Sequence, residues 1–95
     1  MRRVSLTHIQ SFVAVAEECN VGRAARRLHL TQPPLTRHIQ ALEDELGAPL
    51  FERTRTGMRL LPTGEAFLLH ARRILAEVDA AMLTVRDVAG IRSGG

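Results

Sequence analysis

A chain of 95 residues, 45% hydrophobic and 24% charged, has room for one globular domain with a modest core. Its apolar runs are a few residues long, which excludes a transmembrane span, and no apolar stretch follows Arg2 and Arg3 as a secretion signal would need. The formal net charge of +3 is too small to argue for a polyanionic partner by itself, so the placement of the charges carries the information.

Ser5 to Cys19 is predicted as the first helix. Ile9, Phe12, Val13, Val15 and Ala16 recur near helical spacing, and Ser5 can cap its start. Cys19 is expected to be a packed apolar residue. As the only cysteine it forms no internal disulfide, and the default expectation is a cytoplasmic location. Asn20 breaks the pattern and can cap a second helix, Val21 to Leu28. Ala24, Ala25 and Leu28 would line its buried face, with Arg23, Arg26 and Arg27 pointing outward. The small pair Ala24–Ala25 lets another helix approach closely.

His29 and Leu30 form a turn, and Thr31 is a good N-cap for a third helix, Gln32 to Leu46. Pro33 and Pro34 are tolerated because N–H groups in a first helical turn have no carbonyl partner. Leu35, Ile39, Leu42 and Leu46 fall at i, i+4, i+7 and i+11, one apolar stripe that leaves Thr36, Arg37 and Gln40 free to meet a ligand. Gly47, with Pro49 close behind, ends the helix. Two short helices joined by a tight turn have the layout of a helix-turn-helix, in which the second helix enters the DNA major groove. Arg23, Arg26, Arg27 and Arg37 share this stretch with no acid before Glu43, and all 13 basic residues of the chain are arginine. Such segregation is the electrostatic footprint of a phosphate-facing surface, against the plainer alternative of a solvated face.

Between Leu50 and Leu61, Phe51 and Arg53, then Met58 and Leu60, are spaced by two, as in short strands. A turn containing Gly57 would join them as a hairpin that must pack on the helices, since an isolated hairpin is marginal. A hairpin in this position is a wing. Arg59 can pair with Glu52 across it. Thr63 is the expected N-cap of a last helix running to about Val88 or Ala89. Phe67, Ala71, Ile74, Val78, Ala81, Val85 and Val88 follow alternating spacings of four and three, and Leu68, Leu75, Met82 and Ala89 recur every seven. This heptad seam fits a partner helix from Ile74 onward and packing on the domain itself from Phe67 to Ala71. Arg72 and Arg73 are expected to decorate this helix. The tail from Gly90 to Gly95 is linker-like.

The order and spacing of these segments resemble the N-terminal DNA-binding domain of a LysR-type transcriptional regulator, a bacterial family. The resemblance covers about residues 4 to 89. It rests on Phe12-Val13-Ala14-Val15-Ala16-Glu17, Ala24-Ala25-Arg26-Arg27-Leu28, Thr31-Gln32-Pro33-Pro34-Leu35-Thr36-Arg37, Ile39-Gln40-Ala41-Leu42-Glu43, Glu45-Leu46-Gly47, Leu50-Phe51-Glu52-Arg53 and Leu61-Pro62-Thr63-Gly64-Glu65. Two stretches depart from the common pattern: threonines 31 and 36 stand where serine is frequent, and Cys19-Asn20-Val21-Gly22 replaces the more usual Gly-Ser-Phe-Thr type.

The resemblance implies a mainly α fold, a winged helix-turn-helix of three helices and a short β-hairpin over residues 1–62. A long dimerising linker helix follows over 63–89, and the tail over 90–95 would lead to an effector-binding domain outside this chain. A small-molecule inducer is expected for that absent domain, and no cofactor for this one. The expected partners are double-stranded promoter DNA bearing a palindrome and a second copy, with a higher oligomer for the full-length protein and no membrane. The dimer contact is assigned to Phe67, Ala71, Ile74, Leu75, Val78, Ala81, Met82 and Val85.

The residue chemistry suits that partner. Arg37 offers a rigid fork of donors to a guanine edge or a phosphate. Gln32 can pair with adenine or bond a phosphate, Pro33 and Pro34 can touch a thymine methyl, and Thr31 and Thr36 suit phosphate oxygens, aided by the helix dipole. Arg53 and Arg55 can reach backbone or a narrow minor groove. Arg26 and Arg27 fit backbone contacts or solvation better than base reading. The histidines, at positions 8, 29, 38 and 70, show no metal-ligand spacing. An enzyme is disfavoured, since no nucleophile–base constellation or glycine-rich phosphate loop occurs. A helical interaction module using the heptad seam remains the competing reading, distinguished by its insensitivity to salt.

Overall fold

The computed structural model describes residues 3–90, so the tail beyond Gly90 lies outside the described residues. The elements follow in the order α1 (Leu6–Glu18), α2 (Val21–Arg27), α3 (Gln32–Leu46), β1 (Phe51–Thr54), β2 (Gly57–Leu60) and α4 (Pro62–Ala89). None of the helices among these residues is long and apolar enough to cross a membrane.

Helix α1 begins where Ser5 Oγ accepts the N–H of Thr7 at 3.2 Å. It ends one residue earlier than expected, because Cys19 turns left-handed (φ 55°) and donates its N–H to the carbonyl of Val15. That conformation leaves Cys19 exposed and not packed in the core. Ile9, Phe12, Val13, Ala14 and Val15 are all buried, so α1 is the axis of the core. Ala24 and Ala25 of α2 and Leu35, Ile39 and Leu42 of α3 pack around it, while Leu46, at the end of the predicted stripe, stays exposed. Phe12 meets Phe51 of β1 at a ring separation of 5.3 Å and Phe67 of α4 at 5.2 Å, the second edge-on.

The wing is an antiparallel pair in which Phe51 faces Leu60 and Thr54 faces Gly57, with Arg55 and Thr56 as its two-residue turn. Gly57 therefore opens β2 and does not sit in the turn. Its backbone is at φ 152°, and a Cβ there would collide with the carbonyl oxygen of Cys19, which also accepts the N–H of Met58 at 3.2 Å. The missing side chain lets the wing dock directly on the end of α1. Glu43 secures the other strand: its Oε2 accepts the N–H groups of Leu50 at 2.7 Å and Phe51 at 3.3 Å.

Helix α4 starts at Pro62 with Leu61 as N-cap, ahead of the expected Thr63. Proline at the first position has its torsion preset and loses no hydrogen bond, so it sets the start. The Thr63 hydroxyl instead donates to the carbonyl of Pro49, fastening the helix to the loop before the wing. One turn in, Gly64 is buried, and a Cβ there would strike the carbonyl of Leu50 and the side chain of Leu60. Gly64→Ala should lower the unfolding free energy by about 1–3 kcal/mol through this overpacking. Urea denaturation checks it, and an unchanged midpoint would show that the α4–wing contact yields without cost.

Candidate nucleic-acid interface

The turn between α2 and α3 is built by backbone bonds. His29 is left-handed (φ 57°) and donates to the carbonyl of Arg26 at 3.2 Å, and Leu30 donates to that of Ala25 at 2.8 Å. This pair of bonds is a Schellman closure, and histidine holds a position usually taken by glycine. At the other end of α2, Asn20 Oδ1 accepts the N–H of Arg23 at 2.8 Å.

Thr31 occupies the N-cap of α3 with extended backbone, as predicted, yet its side chain makes no capping bond. An N-cap oxygen accepts from the second or third residue of the helix, and here these are Pro33 and Pro34, which have no N–H. The Thr31 hydroxyl is thus left for another partner. The same prolines remove two of the four amide donors at the helix start, so side chains carry more of any anion contact there.

Thr31, Gln32, Pro33 and Arg37 are exposed, and Pro34 and Thr36 are half-buried. Gln32, Arg53 and Arg55 share one open cleft of about 320 Å³ with Asn20 and Gly22, between the helix-turn-helix and the wing. Thr36 and Arg53 line a second, of about 170 Å³, with Gln40. Thr31 and Arg37 lie outside both clefts.

Among the described residues, three arginines pair with carboxylates. Arg27 pairs with Glu17 at 2.8 Å and Glu18 at 3.3 Å, and Arg72 pairs with Glu17 at 3.1 Å. The first bond holds the Glu17 carboxyl below the usual range, against desolvation, with Arg72 adding to it. Arg27 is therefore committed to α1, and Arg72 fastens α4 where it was expected only to decorate it. Arg59 pairs with Glu52 across the hairpin, as predicted. Arg23, Arg26, Arg37, Arg53 and Arg55 have no carboxylate partner among the described residues. No local spacing announces the Glu17–Arg27 pair, which joins two helices packed by their apolar faces.

Behind Arg37 lies a polar contact between α1 and α3. The buried Ser11 shares a hydrogen bond of 2.8 Å with His38 Nδ1, the rings of His38 and His8 lie 5.1 Å apart, and His8 reaches Glu45 at 3.3 Å. Desolvation, then the charges of His8 and Arg37, lower the pKa of His38. A histidine whose folded pKa is depressed leaves stability intact above its ordinary pKa near 6.5 and removes it as pH falls through and below that value. Unfolding free energy should drop between pH 7.5 and pH 5, and His38→Gln should flatten the drop in urea unfolding at both pH values. The same drop in the variant would assign the acid sensitivity to other groups.

On α4 the predicted seam splits. Phe67 packs on Phe12, Ala71 is wholly buried in the domain's own core, and Leu75 also packs against that core. Self-packing thus extends one turn beyond the expected limit and takes Ala71 out of reach of a partner. Val78 is half-buried, whereas Ile74, Ala81, Met82 and Val85 are exposed, and Val88 reaches 85%. Ala81, Met82, Val85 and Arg86 form a shallow, almost wholly apolar groove. Leu69 and Leu83 are each 60% exposed off the seam, where heptad counting does not look.

The pattern describing the bacterial regulatory helix-turn-helix protein of the lysR family matches residues 6–65. The chain belongs to the LysR family. It is 60% identical over 78 residues to the transcriptional regulator ClcR of Pseudomonas putida, covering 82% of this chain and 26% of ClcR. It is 44% identical to AlsR of Bacillus subtilis over 92 residues, covering 93% of this chain and 30% of AlsR. It thus spans about a quarter to a third of these relatives' length. Among solved structures, the CbnR DNA-binding domain in complex with DNA superposes with a TM-score of 0.85 at 45% identity, covering 90% of this chain and 98% of that one. The BenM DNA-binding domain on catB site 1 DNA gives 0.86 at 40% identity, covering 90% and 96%. The winged helix-turn-helix with a long C-terminal helix is the LysR architecture, and the chain is a transcriptional regulator's DNA-binding domain, not an enzyme.

Proposed function

We propose that this LysR-family domain binds promoter DNA sequence-specifically as a homodimer on a palindromic site, with α3 in the major groove and the wing on the backbone or minor groove. The observation that carries the reading is the division of the arginines. Arg23, Arg26, Arg37, Arg53 and Arg55, on the helix-turn-helix and the wing tip, have no carboxylate partner among the described residues, while Arg27, Arg59 and Arg72 are paired within the fold. Arg37 reads a base edge or holds a phosphate. Gln32 and Pro33 meet bases, beside the half-buried Pro34. The uncapped Thr31 and Thr36 take phosphate oxygens, and Arg53 and Arg55 extend the contact from the wing. The DNA complexes of related domains support this assignment.

In this reading residues 1–62 form the DNA-binding unit, and 63–89, the body of α4, dimerise through Ile74, Leu75, Val78, Ala81, Met82 and Val85. Residues 90–95 lead toward an effector-binding domain that answers a small-molecule inducer in the cytoplasm, where the full-length protein forms a higher oligomer. Two recognition helices related by a two-fold axis reach successive major grooves about 34 Å apart, or a multiple of that.

Fluorescence anisotropy with an interrupted palindrome and a scrambled duplex, across a salt series, tests the DNA reading. Affinity should fall steeply with salt, and Arg37→Ala should cost about 1–3 kcal/mol on the palindrome and erase the preference. Shallow salt dependence would favour the interaction module. Val85→Glu places a charge on the exposed seam and should yield monomers in sedimentation equilibrium with the fold intact by circular dichroism. A dimer that survives this change would remove the α4 seam from the interface.

A further inference from the structure

The first turns of α2 and α3 meet at Gly22. A Cβ built there would lie 3.2 Å from the side-chain nitrogen of Gln32 and 3.2 Å from Oδ1 of Asn20, tighter than ordinary contact. Asn20 Oδ1 is already committed to the N–H of Arg23. The Gln32 side chain makes no hydrogen bond among the described residues, and Gln32 opens α3. The bare backbone of Gly22 is therefore the wall against which the Gln32 side chain rests, and both residues line the cleft that Arg53 and Arg55 share. Gly22 is the second residue of α2, a place where alanine has the better helix propensity. What glycine supplies here is room.

We propose that Gly22 is a positioning residue for sequence specificity: its missing side chain sets where the Gln32 amide meets a base edge, and so which base pair is preferred at that step. Glutamine reads adenine through two coplanar hydrogen bonds, N–H to the ring nitrogen and carbonyl from the amino group. A side chain at position 22 displaces the amide by a few tenths of an ångström or rotates it, and a two-point contact of that kind loses one bond before it loses van der Waals contact. This inference rests on the reading of α3 as the base-reading helix.

The test measures affinities of wild type, Gly22→Ala, Gly22→Val, Gln32→Ala and the Gly22→Val/Gln32→Ala double variant against duplexes that differ one base pair at a time. Both Gly22 variants should alter preference at the same base pair as Gln32→Ala, valine more than alanine. Discrimination there should fall from about tenfold or more toward unity. In the Gln32→Ala background, Gly22→Val should have no further effect on preference. The slope of affinity with salt should be unchanged, since no phosphate contact is removed. Gly22→Ala, with its better helix propensity, keeps the test decisive if valine perturbs α2. A uniform loss across all duplexes, a shift at a different base pair, or additivity in the double variant would overturn the inference. Selective binding that is lost in Arg37→Ala yet indifferent to Gly22 would overturn it while leaving the DNA reading standing. No binding by wild type would overturn the DNA reading itself.

Discussion

Phe12, Phe51 and Phe67 are all the aromatic residues of this chain outside its histidines, and they form one cluster with Phe12 at its centre. Each ring comes from a different element: the core axis α1, the wing strand β1 and the long helix α4. Aromatic rings in offset or edge-on contact add about 0.5–1.5 kcal/mol to the burial of their area. Here the geometric consequence matters more than the energy. Phe12 gives the wing and α4 a common packing partner on α1, beside their own contact at Gly64 and Leu60. The helix-turn-helix packs on the same helix through Ala24, Ala25, Leu35 and Ile39. Everything that touches DNA in the proposed reading is thus referenced to α1, which itself lies inside the core.

Polar contacts then refine what the apolar core assembles. Glu17 joins α1 to both α2 and α4 through Arg27 and Arg72, Glu43 ties the end of α3 to β1, and Thr63 ties α4 to the loop at Pro49. The wing leans on the carbonyl of Cys19 through Met58 and Gly57. Each of these joins different elements, so the helices and the wing are tied to one another by side chains as well as by the core. Among the described residues, the helix-turn-helix and wing tip carry unpaired guanidinium groups, and the start of α3 lacks two backbone amides at Pro33 and Pro34. Such a surface grips anions through flexible, forked side chains and not through a preformed amide nest.

Much of the fold was legible because its strongest signals are local. Helix α3 has its predicted bounds, since the threonine before it, its early prolines and Gly47 after it are conformational constraints that act within a few residues. The hairpin was legible from alternation, and the boundaries of α1 and α2 missed by a residue because Cys19 and Leu28 close the helices from outside. Capping was misread where its chemistry depended on the next residues: Thr31 faces two prolines, and Thr63 is pre-empted by Pro62. The proposed contact residues on α3 were legible by subtraction from the apolar stripe. The Ser11–His38–His8–Glu45 contact and the Glu17 pairs were not, because partners 10 to 55 positions apart are brought together only by packing. The seam reading expected self-packing to stop at Ala71, and it runs on to Leu75, where the domain's own core competes for the same face.

Leu75 is the last residue of α4 that packs against the core, and the helix continues to Ala89. At 1.5 Å per residue, about 20 Å of rod projects beyond its clamp. A tilt of about 10° at the clamp moves the tip by roughly 4 Å over that length. The converse holds for whatever grips the tip: a displacement of several ångströms there arrives at the core as a small rotation, geared down by the length of the rod. The projecting half of α4 is a lever arm, and its fulcrum is the turn that holds Ala71 and Leu75.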